Sequence, residues 1–419
     1  MRISTGTFYD SGMGSMQKQS ERLMQVQQQM ASGRRILTPA DDPIAAARAL
    51  DVTQAQSINN QYGVNGGTAT DSLSMQESVL GSVSSLLQDV RDQVIYAGNG
   101  SLTASDRASL ATDVRGRLQE LLGLANSTDG AGQYLFSGYQ GGIRPFSEVT
   151  PGSFGYHGDQ GQRLIQVGAS RQIAVNDAGI DVFQRIPTGN GHFATQAANN
   201  TGTAVIDAGV VSDTAKWNLA GNNKDFTVKF AVSAGVTSYD IIDNVAGTSL
   251  LTGAASVAPY PRTYASGTSI DLSQVGLQAF DFGAKVSISG APADGDSFTI
   301  KESASQDVFK TLNDLADLLA GPATSAALAN GLAGLHLNLD NAMNNISTVR
   351  ASTGGRMREL ESLQSAGDDL NLQYSQTLSR LQDLDYAKAT SELMQQQVNL
   401  QAAQQSFAKV AGLSLFNYL

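Results

Sequence analysis

Apolar residues recur at alternating spacings of three and four along much of the chain, which predicts helices that pack through one stripe. The longest such ladder begins after Gly355 and contains Leu360, Leu363, Gly367, Leu370, Tyr374, Thr377, Leu381 and Leu384. It changes phase at Asp385 and resumes with Tyr386, Ala389, Leu393, Gln396, Leu400, Ala403, Phe407 and Val410. The pattern predicts one helix from Gly355 to Ala411, with a slip in the winding at Asp385.

Two ladders nearer the N-terminus supply stripes that this helix can face. The first contains Met16, Leu23, Val26 and Met30, and the second contains Leu73, Gln76, Leu80, Val83, Leu87, Val90, Val94 and Ala97. Because a long helix cannot bury its stripe against itself, we expect the chain to fold back and bring its two ends together. In this arrangement Leu73–Ala97 packs against Leu360–Leu384 as an intramolecular seam.

Capping residues and glycines set the expected helix boundaries. Met1–Met13 shows no periodicity and is predicted to be an irregular tail. Gly33 fits the position just after a helix, and Asp42 fits an N-cap followed by a proline at the first helical position. Gly66 and Gly67 are expected to loosen the helix that begins after Pro43, and Thr103 with Asp106 resembles a capping box.

The composition changes at Gln133 and stays rich in Gly, Thr, Ser and Val to about Lys301. Short alternating runs at 164–167, 226–232, 285–289 and 297–301 predict antiparallel strands. The predicted fold class is mainly α: a helical hairpin or coiled-coil bundle formed by both chain ends, with antiparallel β structure inserted in the middle. The predicted parts are terminal helices at 1–40 with 385–419, a long-helix bundle at 41–135 with 304–384, and a β-rich outer insert at 136–303, in one or two subdomains.

Charge and composition narrow the possible partners. The net charge is −11 and the pI about 4.7, which argues against nucleic acid because no basic stripe is available for phosphates. Cysteine is absent, which excludes disulfides and thiolate chemistry. No apolar run has the length of a membrane span and no secretory signal is apparent, so we expect no membrane partner and either cytoplasmic residence or a signal-less export route.

Residues that could carry chemistry have simpler explanations. The three histidines, His157, His192 and His336, lie in unlike segments, whereas a metal site needs converging ligands. The pairs Asp294/Asp296 and Asp41/Asp42 lack the further oxygen ligands of a calcium loop and fit a turn and a helix cap. We therefore expect no catalytic, metal or cofactor-binding residue, and no enzyme activity.

The two extreme ends are rich in glutamine and poor in charge. Six glutamines lie in the N-terminal stretch and six in the C-terminal one: Gln17, Gln19, Gln25, Gln27, Gln28, Gln29, Gln395, Gln396, Gln397, Gln401, Gln404 and Gln405. A pair of helices with so few leucines is marginal alone. We expect these ends to be disordered in the monomer and to order in an assembly, through Met16, Leu23, Val26, Met30, Leu393, Leu400, Phe407 and Val410.

Two stretches resemble signatures of the bacterial flagellin family. Residues 30–50, which include Gly33, Arg34, Asp41 and Asp42, are similar to the N-terminal signature of the family. Residues 383–393, which open with Asp383-Leu-Asp385-Tyr386-Ala, are similar to the C-terminal signature, and the ending 413–419 also fits. Within the family, Thr38–Pro43 and Gln133–Tyr139 resemble the members that join hook to filament more than the flagellins themselves.

The resemblance implies a structural, non-enzymatic subunit that is secreted unfolded through the flagellar type III route. It implies a ring of copies at the hook–filament junction, bound by a neighbouring hook-associated protein on one side and flagellin on the other, and required for motility. The terminal helices would form the inner tube, and an export chaperone would hold the C-terminal stripe. Two alternatives stay open: a filament-forming flagellin, and an enzyme hosted in the β insert.

Overall fold

The structure is a computed structural model that describes residues 5–219, 221–275 and 278–412, with side chains from residue 7 to residue 409 except residue 8. The chain forms two compact units. The terminal unit comprises Met1–Gly66, Gln166–Arg171 and Glu361–Leu419, and the central unit comprises Gly67–Ile165 and Gln172–Leu360. Both units draw on sequence from distant parts of the chain.

The helices account for most of the chain outside residues 126–307. In the described residues they are α1 (Thr5–Ser32), α2 (Pro43–Ala97), α3 (Ala104–Ala125), α4 (Gly179–Phe183), α5 (Thr214–Trp217), α6 (Val308–Ala320), α7 (Ser325–Gln382) and α8 (Tyr386–Gly412). None of them is long and apolar enough to cross a membrane. Helical ends around a β-rich middle confirm the predicted fold class.

Local capping chemistry explains several helix boundaries. The Thr103 side chain accepts a hydrogen bond from the Asp106 N–H while Asp106 accepts from the Thr103 N–H, so the predicted capping box opens α3. Asp42 accepts from the Ala45 N–H at 3.0 Å and α2 begins at Pro43, as predicted.

Two predicted boundaries are wrong, and the helix at Gly66 and Gly67 is not interrupted. The expected irregular tail to Met13 is helical from Thr5, and α2 continues through Gly66 and Gly67 without a break. A glycine costs a helix only about 1 kcal/mol, which neighbouring packing outweighs. The predicted last helix from Gly355 is instead the end of α7, which stops at Gln382, and α8 starts afresh at Tyr386.

The central unit contains an apolar core built by helices and the short β elements beside them. Leu80, Val83, Leu87, Val90 and Val94 of α2 are buried there with residues from α3, α6 and α7. Four phenylalanines, Phe136, Phe146, Phe183 and Phe309, join the same core, and ring centroids of the pairs they form lie 5.0–5.7 Å apart. The ladder Leu73–Ala97 is thus core, as its spacing predicts.

The register of α2 against α7 differs from the predicted one. In the central unit Arg350 pairs with Glu77 at 2.6 Å and Arg91 with Asp340 at 2.8 Å, and the ladder packs with Leu332, Leu339 and Ile346. In the terminal unit the Asn59 side chain donates to the Gly367 carbonyl at 2.7 Å. The predicted pairing of Leu73–Ala97 with Leu360–Leu384 is therefore wrong. Heptad stripes resemble one another, so their spacing does not select a partner.

The strands lie between α3 and α6. Their bounds are β1 (Phe146–Thr150), β2 (Ser153–Tyr156), β3 (Leu164–Gln166), β4 (Gln172–Ala174), β5 (Ile186–Pro187), β6 (Phe193–Ala197), β7 (Val205–Ile206), β8 (Val210–Val211), β9 (Asp225–Ser233), β10 (Val236–Asp243), β11 (Thr248–Ser249), β12 (Arg262–Thr263), β13 (Ser269–Gln274), β14 (Phe280–Ser289), β15 (Ser297–Glu302) and β16 (Ser305–Gln306). The four predicted runs each coincide with a strand.

The β region contains a second core of its own. One antiparallel sheet has the order β11-β10-β9-β15-β6 with β12 beside β10, and another has β13-β14-β7 with β8 beside β14. Phe193, Trp217, Phe226, Phe230 and Phe298 are fully or almost fully buried between them. The short strands β5 and β16 pair where the chain enters and leaves this part, since the Thr188 N–H donates to the Ala304 carbonyl at 2.9 Å.

Two leucines that differ in burial provide a matched pair of substitutions that tests the assignment of the central core. Leu87 is fully buried, whereas Leu370, predicted for the same seam, is 41% exposed. We expect Leu87→Ala to lower the free energy of unfolding by about 2–5 kcal/mol, because truncation leaves a cavity. Leu370→Ala should change it by less than about 1 kcal/mol. Urea unfolding followed by far-UV circular dichroism measures both, and equal losses would contradict the assignment of the core.

Candidate functional site

The predicted motif residues from the two ends of the chain meet in the terminal unit. Residues 33–42 connect α1 to α2, and residues 383–385 connect α7 to α8. We call these two connections, taken together, the paired joint. It contains five of the six motif residues, Gly33, Arg34, Asp41, Asp42 and Asp385, and the sixth, Tyr386, follows it directly as the first residue of α8.

Backbone hydrogen bonds hold the two connections side by side. The Arg35 N–H donates to the Gln382 carbonyl at 2.7 Å, and the Leu384 N–H donates to the Gly33 carbonyl at 3.0 Å. Arg34 and Asp383 form an antiparallel bridge between them. Residues from the two ends of the chain are thus joined as a short antiparallel ladder. The heptad phase changes at Asp385 because α7 has ended at Gln382 and α8 starts at Tyr386, so the change is a break and not a slip.

Arg35 is the central cation of the paired joint. Its guanidinium donates to the Leu381 carbonyl at 2.8 Å and to the Asp42 carboxylate at 3.2 Å. The last carbonyls of a helix have no partner within the helix, so this contact satisfies one of them at the end of α7. The same side chain therefore joins the end of α7 to the beginning of α2.

The two aspartates shape the connection on the N-terminal side. Asp41 accepts from the Leu37 and Thr38 N–H groups at 3.0 and 2.8 Å, and from the Gln25 side chain of α1 at 2.9 Å. The hydrogen bond from the Thr38 N–H, with several others, holds the pKa of Asp41 below its ordinary value. The pKa of Asp42 is also lowered, first by the Ala45 N–H and then by Arg35.

Gly33, Asp385 and Tyr386 shape the other side. Gly33 has a φ of 70°, as expected for the residue that ends a helix, and a Cβ there would lie 3.2 Å from the Tyr386 hydroxyl oxygen. Asp385 accepts from the Lys388 N–H at 3.1 Å and so caps α8. The Tyr386 hydroxyl donates to the Met30 carbonyl at 3.3 Å, which ties the start of α8 to the end of α1.

Beyond the paired joint, α1 and α8 lie side by side in antiparallel directions. The rings of Tyr9 and Phe407 meet edge to face with centroids 5.6 Å apart. Of the predicted assembly residues Val26 is buried, while Met16, Leu23, Met30, Leu393, Leu400 and Phe407 are half-buried. Val410 falls in α8, but its side chain lies outside the described residues, as does the whole segment 413–419.

The contact between α1 and α8 leaves two buried oxygens without a hydrogen-bond donor among the described residues, and it leaves several apolar side chains largely exposed. The side-chain carbonyl oxygens of Gln19 and Gln396 are buried and accept no hydrogen bond among the described residues. Met24, Met394 and Val398 expose between 52% and 64% of their surface. A buried oxygen without a donor is unfavourable, so this pair of helices is incompletely satisfied by itself.

The predicted intramolecular seam divides between the two units. In the central unit Leu73, Leu80, Val83, Leu87, Val90, Val94 and Leu360 are buried. In the terminal unit Leu363, Leu381 and Leu384 are half-buried and Leu370 is exposed. The terminal part of α7 is held to α2 mainly through polar contacts such as Asn59 with Gly367 and Gln56 with Ser375.

Sequence reasoning missed the side chains that complete the paired joint. Arg35 was not singled out. Gln25 and Gln29 were noted only as part of a glutamine-rich stretch, although their amides donate to Asp41 and to the Arg35 carbonyl. Their partners are backbone groups or residues in a turn, and Leu381 is 346 positions away from Arg35. No periodicity or spacing signals such contacts.

The histidines and the other acidic pairs take part in local contacts. His157 shares a hydrogen bond with Ser147 at 2.7 Å, and His336 lies 3.5 Å from Asp340 on the same helix. Asp294 and Asp296 accept backbone N–H groups around the turn before β15. Among the described residues no group of three histidine or acidic side chains could hold a metal ion.

Comparison with known proteins finds flagellar components over the whole chain. A family model described as the bacterial flagellin N-terminal helical region matches residues 3–141. A second, described as the D3 domain of flagellar hook-associated protein 1, matches residues 192–302, which contain the second core. The β insert thus has relatives of its own.

Full-length relatives agree with these matches. The chain is 30% identical to flagellar hook-associated protein 3 of Salmonella typhimurium and 31% identical to that of Escherichia coli, over 99% of each chain. It is similar to the crystal structure of the flagellar junction protein FlgL from Legionella pneumophila, with 30% identity, a TM-score of 0.69, and 80% of this chain and 100% of that one covered. Polar flagellin F of Vibrio parahaemolyticus is more distant, 23% identical over 90% of this chain and 88% of its own length.

The cap of α2 gives a test of the paired joint. We expect Asp42→Ala to make the amides of the first turn of α2 exchange severalfold faster, because Ala45 loses its acceptor and Arg35 its partner. Asp51→Ala, an exposed position within the same helix, is the matched control and should leave them unchanged. Amide exchange of the two variants is measured by NMR, and equal exchange rates in both would contradict the role of Asp42.

The lowered pKa of Asp42 predicts a pH dependence in the parent chain. Protection of the amides in the first turn of α2 should fall as the pH drops below the usual pKa of 3.8, since a lowered pKa stabilises the fold above that value.

Proposed function

The chain belongs to the family of flagellar hook-associated protein 3, and from this premise we propose that it is the structural adaptor that joins hook to filament in a bacterial flagellum. Copies of the chain form a ring. A neighbouring hook-associated protein contacts the ring on the hook side, and flagellin contacts it on the filament side. The ring is required for filament growth and hence for motility.

The observation that carries this proposal is the similarity over 99% of both chains to hook-associated protein 3, with lower identity to flagellins. The paired joint supports it, because an adaptor needs both chain ends brought to one place. The motif residues that define the family signatures are the ones that build the joint, so their role in the structure is to unite the ends.

The terminal helices are the proposed inner layer of the assembly. Residues 1–40 and 385–419 form an inner tube, residues 41–135 and 304–384 a second layer, and residues 136–303 the outside. The exposed Met394 and Val398 support contacts with further copies. Low charge in these helices lets copies approach without repulsion.

Export is proposed to follow the flagellar type III route, with the chain unfolded in transit. A chain without cysteine has no disulfide to reduce before passage. An export chaperone is proposed to cover the exposed apolar positions of α8 until the subunit leaves. The chain is proposed to have no enzyme activity. The acidic pair Asp294 and Asp296 binds backbone N–H groups, and His157 shares a hydrogen bond with Ser147, so these side chains have structural partners.

Hydrogen exchange on the purified monomer tests whether the chain ends are disordered until they bind partners. We expect residues 1–33 and 385–419 to exchange near the rates of an unfolded chain, because α1 and α8 satisfy each other incompletely. Leu73–Ala97 should be strongly protected by the central core. Strong protection at both ends would contradict the proposed disorder in the monomer and leave the adaptor role to rest on the family alone.

Seeded assembly separates the adaptor from a filament-forming subunit. Purified protein is added to hook ends that already carry the neighbouring hook-associated protein, and growth is followed by electron microscopy. We expect a layer of limited length, because a ring closes on itself whereas a helical polymer continues. Long filaments would contradict the adaptor role.

Deleting the insert tests whether assembly on hook ends requires it. Because Thr188 and Ala304 are hydrogen-bonded to each other, residues 190–302 can be replaced by a short turn without moving the ends of β5 and β16. Assembly by this variant on hook ends is expected to persist. Loss of assembly with an intact helical core would favour an essential activity in the insert.

A further inference from the structure

Four asparagines of α7 lie on one face of the helix in the central unit. Asn330, Asn338, Asn341 and Asn345 are spaced by eight, three and four residues, which places them within one stripe. At about 100° per residue, this stripe lies on a different face of α7 from the apolar one that contains Leu332, Leu339 and Ile346. We call these four residues the asparagine row. All four are half-buried, although asparagine is a poor residue for a helix interior.

Among the described residues, the hydrogen bonds that the side chains of the asparagine row make to the β region are with backbone groups. Asn345 donates to the carbonyls of Asp181 and Val182, both at 2.9 Å. Asn341 donates to those of Pro187 and Gly189 at 2.9 and 2.8 Å, and Asn338 accepts from the Gly189 N–H at 3.3 Å. The Gln306 side chain of β16 also donates to the row, but to the backbone carbonyl of Asn338, at 3.1 Å.

Asn330 forms hydrogen bonds to β7 in the way that a neighbouring strand would. Its amide nitrogen donates to the Ala204 carbonyl and its amide oxygen accepts from the Ile206 N–H, both at 3.0 Å. These two groups belong to one edge of β7, whose other edge pairs with β14. The amide therefore completes the edge of the sheet as a further strand would, and removes an unpaired edge.

The remaining contacts bind backbone groups that have no hydrogen-bond partner within their own helix or strand. Asp181 and Val182 lie in the short helix α4, where the last carbonyls have no helical partner. Pro187 and Gly189 lie at β5 and just beyond it, where the chain enters the second core. From α4 to β7, the row thus holds successive points along the path into the insert.

We propose that the asparagine row is a positioning site that sets the orientation of the β insert on α7 by binding its backbone. All residues of the second core lie between Phe193 and Ile300, so no apolar side chain of α7 belongs to it, and the row decides how the insert is held. Recognition of backbone alone leaves the side chains of the insert free to change without loss of docking. The proposal is independent of the adaptor function, since it concerns one chain.

Spin labels measure the orientation directly, because the chain contains no cysteine that would compete for labelling. One cysteine replaces Val245 in the insert and one replaces Ser347 on the exposed side of α7. In the parent chain, double electron–electron resonance should give one narrow distance distribution. In N330A/N338A/N341A/N345A we expect the distribution to broaden at least twofold, and the Ile206 and Gly189 amides to exchange at least tenfold faster.

Asn344→Ala is the matched control, since Asn344 is exposed on the same helix and should leave the distribution narrow. Trp217, the single tryptophan, is buried in the second core and reports by its fluorescence whether the insert is folded. An unchanged distribution in the fourfold variant with Trp217 still buried would overturn the proposal. Should the fourfold variant expose Trp217, N341A/N345A decides: broadening with Trp217 buried supports positioning, and any other result overturns it.

Discussion

The short antiparallel ladder of the paired joint is the interaction on which the terminal unit depends. Two turns from opposite ends of the chain exchange backbone hydrogen bonds, and Arg35 ties the end of one long helix to the start of another. Backbone pairing of this kind satisfies groups that a helix break would otherwise leave open. The break at residues 383–385 is therefore stabilised by its partner, and neither turn has these bonds alone.

Different physical terms dominate in the two units. The central unit is held by an apolar core in which α2, α3, α6 and α7 bury large side chains, with Phe309 fully enclosed. The terminal unit has few fully buried residues and relies on polar contacts such as those of Asn59 and Gln56. Since a solvent-exposed hydrogen bond contributes little net free energy, the terminal unit is the one that gains most from further partners.

The β insert follows a third arrangement. Its own sheets enclose aromatic residues around Trp217, while its path into and out of the fold is bound by the asparagine row and by the pairing of β5 with β16. The insert has a core of its own, and the surface on which it docks binds its backbone. Its folding and its placement on α7 therefore depend on different residues. This separation agrees with the match of residues 192–302 to a domain described for a different hook-associated protein.

The sequence by itself determined the fold class, the strands at 226–232 and 297–301, the capping box at Thr103 and the family motifs, because each depends on neighbouring residues or on a periodic stripe. It also identified Leu73–Ala97 as core, since only burial explains that spacing. The tertiary structure alone decided which stripe faces which. Equivalent heptads permit several registers, and the structure shows the actual one through pairs such as Arg350 with Glu77 and through the break at residues 383–385, which resembled a slip. It also revealed the roles of Arg35 and the asparagine row. Most of their partners are distant backbone groups, which every residue carries, so the sequence does not mark which of them are bound.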